Sequence, residues 1–523
     1  MINLLDYGAG NVHYVVNALE SLGETVVRVH SPADIAKAER LVFPGVGNYG
    51  AMMHSLRDQQ LIEPLLRYLH ENRPFFGICV ALQALFDSSE EAPEESGLGI
   101  IPGRVKRFET ELAIPHIGWN GIKVHQPSRI FQGFTGQEKV YFVHSYHVAT
   151  DHRADVLTTT DYGCEFVSSV QKGNIIATQF HPEKSGKAGL KLLENFLDTS
   201  QEAVIPQSCP QQTKLAERII ACLDVRSNDQ GDLVVTKGDQ YDVREGGDVR
   251  NLGKPVELAQ RYYREGADEI TFLNITGFRD FPLEDMPMLE VLRQTSKNVF
   301  VPLTIGGGIR DYTDKDGRKY DALEVAAEYF RSGADKVSIG SDAVLIAEAY
   351  LQTGRLTGRS SIETISRVYG NQAVVVSIDP RRIYVTAADT VNHAVIETAI
   401  PGPGGERYCW YQCTIKGGRE GRDVDAVTLA QVCEKLGAGE ILLNCIDRDG
   451  TNLGFDIELI NAVATAVSIP VIASSGAGRV EHFHEVFTAT EAESALAAGI
   501  FHRREIPIAE VKRYLDGKVD VRR

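Results

Sequence analysis

Cys79 is the residue of this chain best placed to act as a nucleophile. It ends the apolar run 76–78, and helix-prone residues 82–86 follow almost at once. A strand that turns sharply into a helix through a nucleophile is a nucleophile elbow. His181 and Glu183 stand at the end of a second apolar run, about a hundred residues later. This combination predicts covalent acyl transfer, in which His181 takes the thiol proton and Glu183 orients the imidazole.

Backbone N–H groups near this cysteine can stabilise the oxyanion that acyl transfer creates. The stretch Pro44-Gly45-Val46-Gly47 offers such groups, and the amide of Val80 directly follows the nucleophile. A buried cysteine taken alone is usually inert. The prediction therefore depends on the combination of the elbow with the later His-Pro-Glu.

Strand-like and helix-like runs alternate along the chain, which is typical of α/β proteins. Its 523 residues exceed the size at which a single core stops growing, roughly 250–300 residues. Residues 199–214 interrupt the alternation with a polar, proline-bearing stretch. We therefore expect a first domain at residues 1–198, a linker at 199–214 and a second domain at 215–523.

The second domain contains eight candidate strands, most of them separated by helical segments. This pattern predicts a (β/α)8 barrel, the TIM-barrel fold. The candidate strands are residues 219–223, 269–275, 300–305, 336–339, 373–378, 440–446, 470–473 and 497–501.

The barrel sequence repeats itself and places two aspartates at equivalent positions. Residues 219–224 (IIACLD) resemble residues 374–379 (VVVSID), so Asp224 and Asp379 end the first and fifth strands. Catalytic groups of this fold lie at the carboxyl ends of strands, so we expect the two carboxylates to face each other as general acid and general base. The alternative is that each aspartate caps the segment after it, which the repeat disfavours.

Glycine-rich turns follow the third and seventh strands. Residues 306–308 (GGG) and 475–478 (SGAG) expose backbone N–H groups of the kind that bind phosphate, and the turns 340–341 and 498–499 can complete each site. Two phosphate sites around two aspartates predict an elongated bisphosphate substrate, with Lys237 as a local cation.

Two stretches of the barrel half look inserted, residues 312–320 and the longer, Gly- and Pro-rich residues 388–422. Long loops of a barrel usually lie over its active face. A tolerated surface insertion is the equally open alternative.

Composition and charge limit the classes of binding partner and the cellular compartment that we expect. The formal net charge of −17 argues against a nucleic acid or an anionic membrane. No window approaches the roughly 20 apolar residues that span a bilayer, and the chain opens on a strand-like segment, so we expect a cytoplasmic protein. A mature plastid protein without its leader fits the same start. Cys409 and Cys413 lack partners at zinc spacing, so we expect free thiols there and no metal.

The first domain resembles the class I glutamine amidotransferases through residues 44–47 (PGVG), 77–79 (GIC) and 181–183 (HPE). Within that class it is similar to the glutaminases of the imidazole glycerol phosphate synthases, through residues 6–11 (DYGAGN), 117–120 (IGWN), 141–146 (YFVHSY) and 181–185 (HPEKS). The second domain resembles the cyclases of that family through residues 218–225 (RIIACLDV), 235–238 (VTKG) and 447–451 (DRDGT). Both parts in one chain are typical of the fused form found in fungi and plants.

The resemblance implies an open mixed sheet flanked by helices in the first domain, followed by the barrel. It implies that glutamine is hydrolysed to glutamate and ammonia through a thioester on Cys79, and that ammonia runs through the barrel. There it would attack a ribulosyl bisphosphate-type nucleotide, the phosphoribulosyl-formimino derivative of aminoimidazole carboxamide ribotide (AICAR), to give imidazole glycerol phosphate and AICAR. The resemblance implies no metal or organic cofactor, and we expect a monomer with an internal domain interface.

The resemblance also implies roles for single residues, with Asp224 and Asp379 as acid and base. The oxyanion and glutamine-binding residues would be Val46, Gly47, Val80, Gln83, Ser145 and Tyr146. The substrate- and phosphate-binding residues would be Lys237, Gly308, Ser341, Asp449, Gly450, Gly476, Ala498 and Gly499. The ammonia gate would be Arg218, Glu269, Lys336 and Glu440, and the interface salt bridge would join Lys184 to Asp335.

One departure from the family pattern concerns the elbow. Family elbows usually read Gly-x-Cys-x-Gly, whereas this chain has Ala81 at the last position. We expect its methyl group to strain the elbow slightly and to be tolerated.

Two other functions stay open at this point. A sister isomerase that acts on the same class of bisphosphate also has two strand-end aspartates in a repeated barrel, but it has no use for ammonia. A non-catalytic scaffold is the third hypothesis, and the joint presence of the five candidate catalytic residues argues against it.

Overall fold

The computed structural model of the chain describes residues 1–8, 12–45, 47–206, 213–227, 233–236, 244–245, 248–249, 252–275, 286–314, 316–388 and 391–523. Val46 and Lys237, two of the predicted binding residues, lie outside the described residues, as does part of the predicted linker. Within the described ranges, no helix has the length and apolar composition needed to cross a membrane.

The first half of the chain is built on a mixed β-sheet. Its strands are β1 (Ile2–Leu5), β2 (Val26–Val29), β3 (Leu41–Gly45), β4 (Phe75–Cys79), β5 (Ser88–Ser89), β6 (Arg104–Arg107), β7 (His116–Gly121), β8 (Lys123–Val124), β9 (Lys139–His144), β10 (Tyr146–Ala149), β11 (Val156–Asp161), β12 (Glu165–Lys172) and β13 (Ile175–Thr178). The sheet order is β2-β1-β3-β4-β13-β12-β10-β6-β5, and β7 pairs separately with β9. Strands β2 to β13 of this order are parallel and β13 to β6 antiparallel, which confirms the predicted open mixed sheet.

The second half closes into a barrel. Its strands are β14 (Arg218–Ser227), β15 (Leu233–Thr236), β16 (Arg244–Glu245), β17 (Asp248–Val249), β18 (Glu269–Asn274), β19 (Leu303–Gly306), β20 (Tyr312–Thr313), β21 (Lys319–Tyr320), β22 (Lys336–Ile339), β23 (Val374–Ile378), β24 (Pro380–Val385), β25 (Ile396–Glu397), β26 (Tyr408–Ile415), β27 (Glu420–Asp425), β28 (Glu440–Asn444), β29 (Val471–Ser474) and β30 (Ser494–Ala497). Strands β14, β18, β19, β22, β23, β28, β29 and β30 pair in parallel in this order, and β30 pairs with β14. The predicted (β/α)8 barrel is confirmed.

Helices flank both sheets. They are α1 (His13–Ser21), α2 (Pro32–Lys37), α3 (Tyr49–Asp58), α4 (Ile62–His70), α5 (Val80–Ala84), α6 (Gly186–Leu197), α7 (Pro255–Glu265), α8 (Met286–Thr295), α9 (Ala322–Arg331), α10 (Ser341–Thr353), α11 (Ser361–Tyr369), α12 (Ala426–Leu436), α13 (Ile457–Ala464), α14 (Val480–Ala489), α15 (Gly499–His502) and α16 (Ile508–Leu515). Local signals set their ends: a capping box of Asp321 and Glu324 starts α9, and left-handed Gly437 ends α12.

The predicted eighth strand is placed wrongly. Residues 497–501 were expected to form it, but β30 ends at Ala497 and α15 begins at Gly499. The apolar run continues through the junction, so hydrophobicity alone does not mark the change from strand to helix. Ala498, with φ −125° and ψ −72°, makes the turn. Ala498 and Gly499 therefore still lie at the carboxyl end of a barrel strand.

Asp224 also differs slightly from its predicted position. It does not end β14, which continues to Ser227 and pairs there with antiparallel β15. The parallel pairing of β14 with β18 does stop one residue after Asp224, at Val225 opposite Asn274. Asp224 therefore lies at the carboxyl rim of the barrel even though its own strand extends outwards.

The insertion at residues 388–422 contributes to an antiparallel sheet that begins before it. The sheet consists of β24, which precedes the insertion, with β25, β26 and β27, in the order β24-β26-β25 with β27 also on β26. The buried guanidinium of Arg382 fastens this sheet to the start of α13, because it donates to both carboxylate oxygens of Asp456. The Thr414 hydroxyl donates to the carbonyl of Asp379 at 2.6 Å. The inserted sheet therefore lies beside the mouth of the barrel.

The opposite face of the barrel, its floor, contacts the first half of the chain. The amide of Ile114 donates to the carbonyl of Ser468 at 2.8 Å, and the indole of Trp119 donates to the carbonyl of Asp268 at 3.2 Å. The amide of Gly186, just after the His-Pro-Glu motif, donates to the carbonyl of Phe300 at 3.0 Å. These contacts bring the end of β13 up to the amino ends of the barrel strands.

Candidate active site

Cys79 occupies a strained turn between β4 and α5. Its φ of 54° and ψ of −111° lie outside the regions that L-residues usually adopt. The neighbouring strand β3 ends at Gly45, where a Cβ atom would lie 2.3 Å from the amide nitrogen of Ala81. The elbow expected from the sequence is therefore present, and a glycine on β3 permits the close approach to α5.

Ala81 does not carry the backbone strain of this elbow. It lies inside α5, is fully buried, and its backbone is helical, so no glycine-like conformation is required of it. The left-handed strain falls on Cys79 instead. The structure thus accommodates the methyl group by which this elbow departs from the usual pattern.

His181 stands beside Cys79 and is held from three sides. Its Nδ1 lies 2.8 Å from Oε1 of Glu183, its amide donates to the carbonyl of Tyr141, and its carbonyl accepts from the hydroxyl of Ser185. Burial lowers the pKa of His181, but charge and hydrogen bonding from Cys79 and Glu183 outweigh burial and raise the pKa to about 10. The imidazole is therefore held as a cation between a sulfur and a carboxylate, as in activated cysteine nucleophiles.

Exchange of Glu183 for glutamine is expected to move the alkaline limb of glutamine hydrolysis to lower pH. Glu183 is one of the groups that raise the pKa of His181 to about 10, so without its charge the imidazolium loses its proton at lower pH. We expect a shift of about one pH unit, measured as kcat/KM for glutamate release across the neutral-to-alkaline range. Glu194→Gln, on the exposed face of α6, is the matched control. An alkaline limb that stays at the parental pH in Glu183→Gln would contradict this account.

Two glutamines link Cys79 to the predicted glutamine-binding residues. The Gln83 amide donates to the carbonyl of Tyr146 and to Oε1 of Gln179, both at 3.1 Å, and the Gln179 amide donates to the sulfur of Cys79 at 3.5 Å. The Oε1 atom of Gln83 is buried and has no hydrogen-bond partner among the described residues. It is therefore an acceptor available to a ligand beside the thiol.

The barrel half contributes to the surroundings of this first site. The hydroxyl of Ser145 donates to Oδ1 of Asn371 at 3.2 Å. A Cβ atom on Gly47, whose φ is 93°, would lie 3.0 Å from the carbonyl of Val368 at the end of α11. Two residues predicted to bind glutamine or its oxyanion therefore touch the segment that leads into β23.

A cavity of about 80 Å³ connects the thiol site to the barrel floor. From the first half, Cys79, His181 and Val80 line it, and from the barrel half, Asp335 and Lys336 do so. A small molecule released at the sulfur would thus leave into a space that already borders the floor of the barrel.

Lys184 and Asp335 join the two halves at the edge of this cavity, 2.6 Å apart. The Lys184 ammonium also lies over the ring of Tyr14. Burial lowers the pKa of Lys184 to about 8, against the opposing charges of Asp335 and Glu183. The predicted interface pair is therefore in contact and largely buried.

Four charged residues form a ring at the barrel floor. Each is the first residue of its strand, and all are buried: Arg218 of β14, Glu269 of β18, Lys336 of β22 and Glu440 of β28. Arg218 bridges the two glutamates at 3.1 and 2.5 Å, and Lys336 bridges them at 2.7 and 2.6 Å. Burial would raise the pKa of Glu440, but Arg218 and Lys336 hold it below its ordinary value. The four predicted gate residues therefore form one closed ionic layer.

A second cavity of about 110 Å³ opens at the mouth of the barrel. Six predicted residues line it together: Asp224, Asp449, Gly450, Gly476, Ala498 and Gly499. Ser475, with φ 76°, also lines it, as do Asn452, His502 and Arg503, which sequence reasoning did not single out. The structure thus joins a candidate catalytic carboxylate to the glycine turns after β29 and β30.

The other predicted phosphate residues lie across the barrel. Gly308, with φ 75°, follows β19, and Ser341 begins α10 after β22. The hydroxyl of Ser341 accepts from the amide of Lys416, in the turn between β26 and β27. Asp379 directly follows β23, which is the next barrel strand after β22 and so lies on the same side of the mouth as Ser341. The two groups of candidate phosphate residues therefore stand on opposite sides of the mouth.

The comparisons with known proteins agree with this two-part arrangement. A family model described as glutamine amidotransferase class-I matches residues 3–199, and one described as histidine biosynthesis protein matches residues 218–507. A relative from Arabidopsis thaliana, named imidazole glycerol phosphate synthase hisHF, chloroplastic, is 58% identical over 100% of this chain and 89% of its own length. The chain belongs to the imidazole glycerol phosphate synthase family.

Other imidazole glycerol phosphate synthases match the whole chain or its second half. The one named hisHF from Schizosaccharomyces pombe is 55% identical over 98% of both chains. The one named subunit HisF from Methanosphaera stadtmanae is 41% identical over 58% of this chain and 97% of its own. Fused and separate members of the synthase family are therefore both similar to this chain.

Two further residues at these sites were not predicted from the sequence. Gln179 lies two residues before His181 and contacts the thiol, so its closeness to the His-Pro-Glu motif was an available signal. Asn444 ends β28 and donates to Oδ1 of Asp379 at 2.8 Å. Only the pairing of β23 with β28 brings these two together, so no local pattern could reveal the contact.

Proposed function

We propose that this chain is a glutamine-dependent imidazole glycerol phosphate synthase of histidine biosynthesis. It would hydrolyse glutamine and use the ammonia to convert the phosphoribulosyl-formimino derivative of AICAR into imidazole glycerol phosphate and AICAR. The observation that carries the proposal is the single cavity bordered both by Cys79 and His181 and by Lys336 of the barrel floor. Neither an isolated hydrolase nor an isolated isomerase has a use for such a space.

In the first reaction the sulfur of Cys79 attacks the carboxamide carbon of glutamine. The amides of Val80 and Gly47 would hold the oxyanion, and the His181 imidazolium would give its proton to the departing nitrogen. Water then cleaves the thioester, with His181 as the base, and releases glutamate. Gln83 and Tyr146 would orient the substrate beside the thiol.

Ammonia formed at the sulfur would leave along the cavity to the ring of charged residues. Because Lys336 lines the cavity and bonds both Glu269 and Glu440, a shift of its side chain would open the ring with little other movement. The Lys184–Asp335 pair would keep the two halves aligned around this path.

In the second reaction the bisphosphate would span the barrel mouth. One phosphate would lie at Gly308 and Ser341, the other at Gly476 and Gly499, and Lys237 is proposed as a further substrate contact. Asp224 and Asp379 would act as acid and base on the ring closure and cleavage between them.

We further propose that the two reactions belong to domains at residues 1–198 and 215–523, joined by residues 199–214. A monomer is proposed because the contacts between the halves are made within one chain. The cytoplasm stays a prediction, and the name of the Arabidopsis relative includes the word chloroplastic.

The proposal is tested by incubating the whole chain with glutamine, with the bisphosphate, and with both. We expect one glutamate released per imidazole glycerol phosphate formed, and glutamate release on the order of tens-fold faster with both ligands than with glutamine alone. Accumulation of an isomerised bisphosphate without glutamate release would instead support the isomerase. Absence of any turnover by the folded chain would support the scaffold.

A further inference from the structure

The repeat in the barrel allows the neighbours of its two aspartates to be compared position by position. The pairing of β14 with β18 sets Asp224 opposite Leu273. The pairing of β23 with β28 runs to Ile378 opposite Leu443, so the next step sets Asp379 opposite Asn444. The backbone geometry around the two carboxylates is thus equivalent, while the side chains beside them are not.

Asp379 is held by two neutral hydrogen-bond donors. Nδ2 of Asn444 donates to its Oδ1 at 2.8 Å and also to the hydroxyl of Ser377 at 3.1 Å. The Ser377 hydroxyl in turn lies 3.4 Å from the same Oδ1 atom. A small hydrogen-bond network therefore holds one carboxylate oxygen of Asp379. Its donors come from β23, which precedes Asp379, and from the neighbouring strand β28.

The equivalent positions beside Asp224 carry different chemistry. Leu273 stands where Asn444 stands, and Cys222, two residues before Asp224, stands where Ser377 stands. A leucine offers no hydrogen bond, and a thiol is a weak donor. The same fold position is therefore polar in one half of the barrel and nearly apolar in the other.

We propose that Asn444, together with Ser377, is a positioning residue that keeps Asp379 ionised and oriented as a proton acceptor. This rests on the proposed cyclase function. Asp379 takes a proton that the ammonia nitrogen loses as it bonds to the ketone carbon of the ribulosyl group, whose oxygen leaves as water. The same nitrogen then bonds to the formimino carbon, and Asp224 gives a proton to the AICAR nitrogen as the bond between that nitrogen and the formimino carbon breaks.

The other groups around Asp379 favour its neutral form, so these hydrogen-bond donors are needed to keep it charged. Burial raises the pKa of Asp379, and the hydrogen bonds from Asn444 and Ser377 oppose it, while the charge of Asp449 raises the pKa further. The thiol of Cys413 also faces Asp379, and its own pKa lies well above the usual range because of burial. Of the neighbouring cations on β24, Arg381 bonds Gln412 instead.

The second arginine of β24 is also directed elsewhere. The guanidinium of Arg382 is committed to Asp456 and Glu458. Asp449 is the charged residue that acts on Asp379, and Asp224 lies on the opposite strand of the barrel. Neutral donors rather than these cations thus favour the charged form of Asp379.

The test uses Asn444→Leu, which installs the residue of the other half, in the full chain. Cyclisation is driven with ammonium salt at a fixed concentration of free ammonia, and kcat/KM for the bisphosphate is followed across pH. We expect the acid limb to move up by about one pH unit or more, since a hydrogen bond to a carboxylate has been lost. Asn461→Leu, whose amide caps a carbonyl on the outside of the barrel, is the matched control and leaves the limb in place.

The proposal would be overturned if Asn444→Leu lost rate equally at every pH and kept its acid limb at the parental pH, while its melting profile matched that of the parent. If Asn444→Leu does not fold, Ser377→Ala is the milder variant, and an upward shift in the same limb supports the proposal while an unmoved limb rejects it. If the parent chain itself forms no imidazole glycerol phosphate from ammonium salt, the proposed function fails first. If the parent chain does form product while the variants keep the parental acid limb, only the role of Asn444 is rejected.

Discussion

Replacement of Cys79 by alanine is expected to abolish product formation from glutamine while sparing product formation from ammonium salt. We expect kcat with glutamine to fall by about 10⁴-fold or more, because the nucleophile is the residue without which the triad cannot act. With ammonium salt, the rate is expected to stay within about twofold of the parent, since acid–base chemistry at the mouth needs no thiol. The measurement is the rate of imidazole glycerol phosphate formation with each nitrogen source.

Cys164→Ala is the matched control for this experiment. Cys164 is a half-buried thiol of the same half of the chain, and it does not line the cavity at the elbow. It should leave both rates unchanged. Equal loss of both activities in folded Cys79→Ala would show that the two sites do not work through transferred ammonia.

Exchange of Asp379 for asparagine should produce the complementary pattern. Cyclisation should fall by about 10²- to 10⁴-fold with either nitrogen source, because the change removes the general base and leaves the shape of the side chain nearly intact. Glutamate release in the absence of the bisphosphate should stay at the parental level, since Asp379 is absent from the residues that line the thiol cavity. Product formation and glutamate release are measured on the same samples.

Asp321→Asn is the control for exchanging an aspartate for an asparagine at a position outside the barrel mouth. Asp321 is the N-cap of α9, a position at which asparagine serves as well as aspartate. Cyclisation that persists in Asp379→Asn would contradict the role of this carboxylate. Taken with Cys79→Ala, the two variants would separate the reactions of the two halves.

The elements that carry the site were largely predictable from the sequence. The elbow at Cys79 follows from an apolar strand that stops at a cysteine. Strand β23, Val374–Ile378, was predicted to within one residue because barrel strands are buried on both faces and are mainly apolar. The turn residue Gly476 was recognisable as part of the glycine-rich run 475–478, which begins directly after β29. The gathering of Gly476 and Gly499 in one cavity is a consequence of barrel closure.

What escaped prediction depended on contacts between distant segments. The eighth strand was misplaced because the apolar residues on either side of Ala498 are equally suited to a strand and to the short helix α15. The insertion looked like a loop from its Gly and Pro content, yet its strand β26 is fixed by pairing and by the Arg382–Asp456 contact. Asn444 was missed because its partner lies on another strand.

The ring of charged residues at the barrel floor forms a barrier to ions between the two candidate reaction sites. Arg218 and Lys336 neutralise Glu269 and Glu440 in a layer that excludes water. An ammonium ion would have to lose its hydration and compete with Lys336 for carboxylates, whereas neutral ammonia needs neither. We therefore expect the layer to block the passage of protons while it lets neutral ammonia through. A cationic imidazole beside the thiol and an ionised carboxylate at the mouth can then coexist in one molecule, each with its own proton balance.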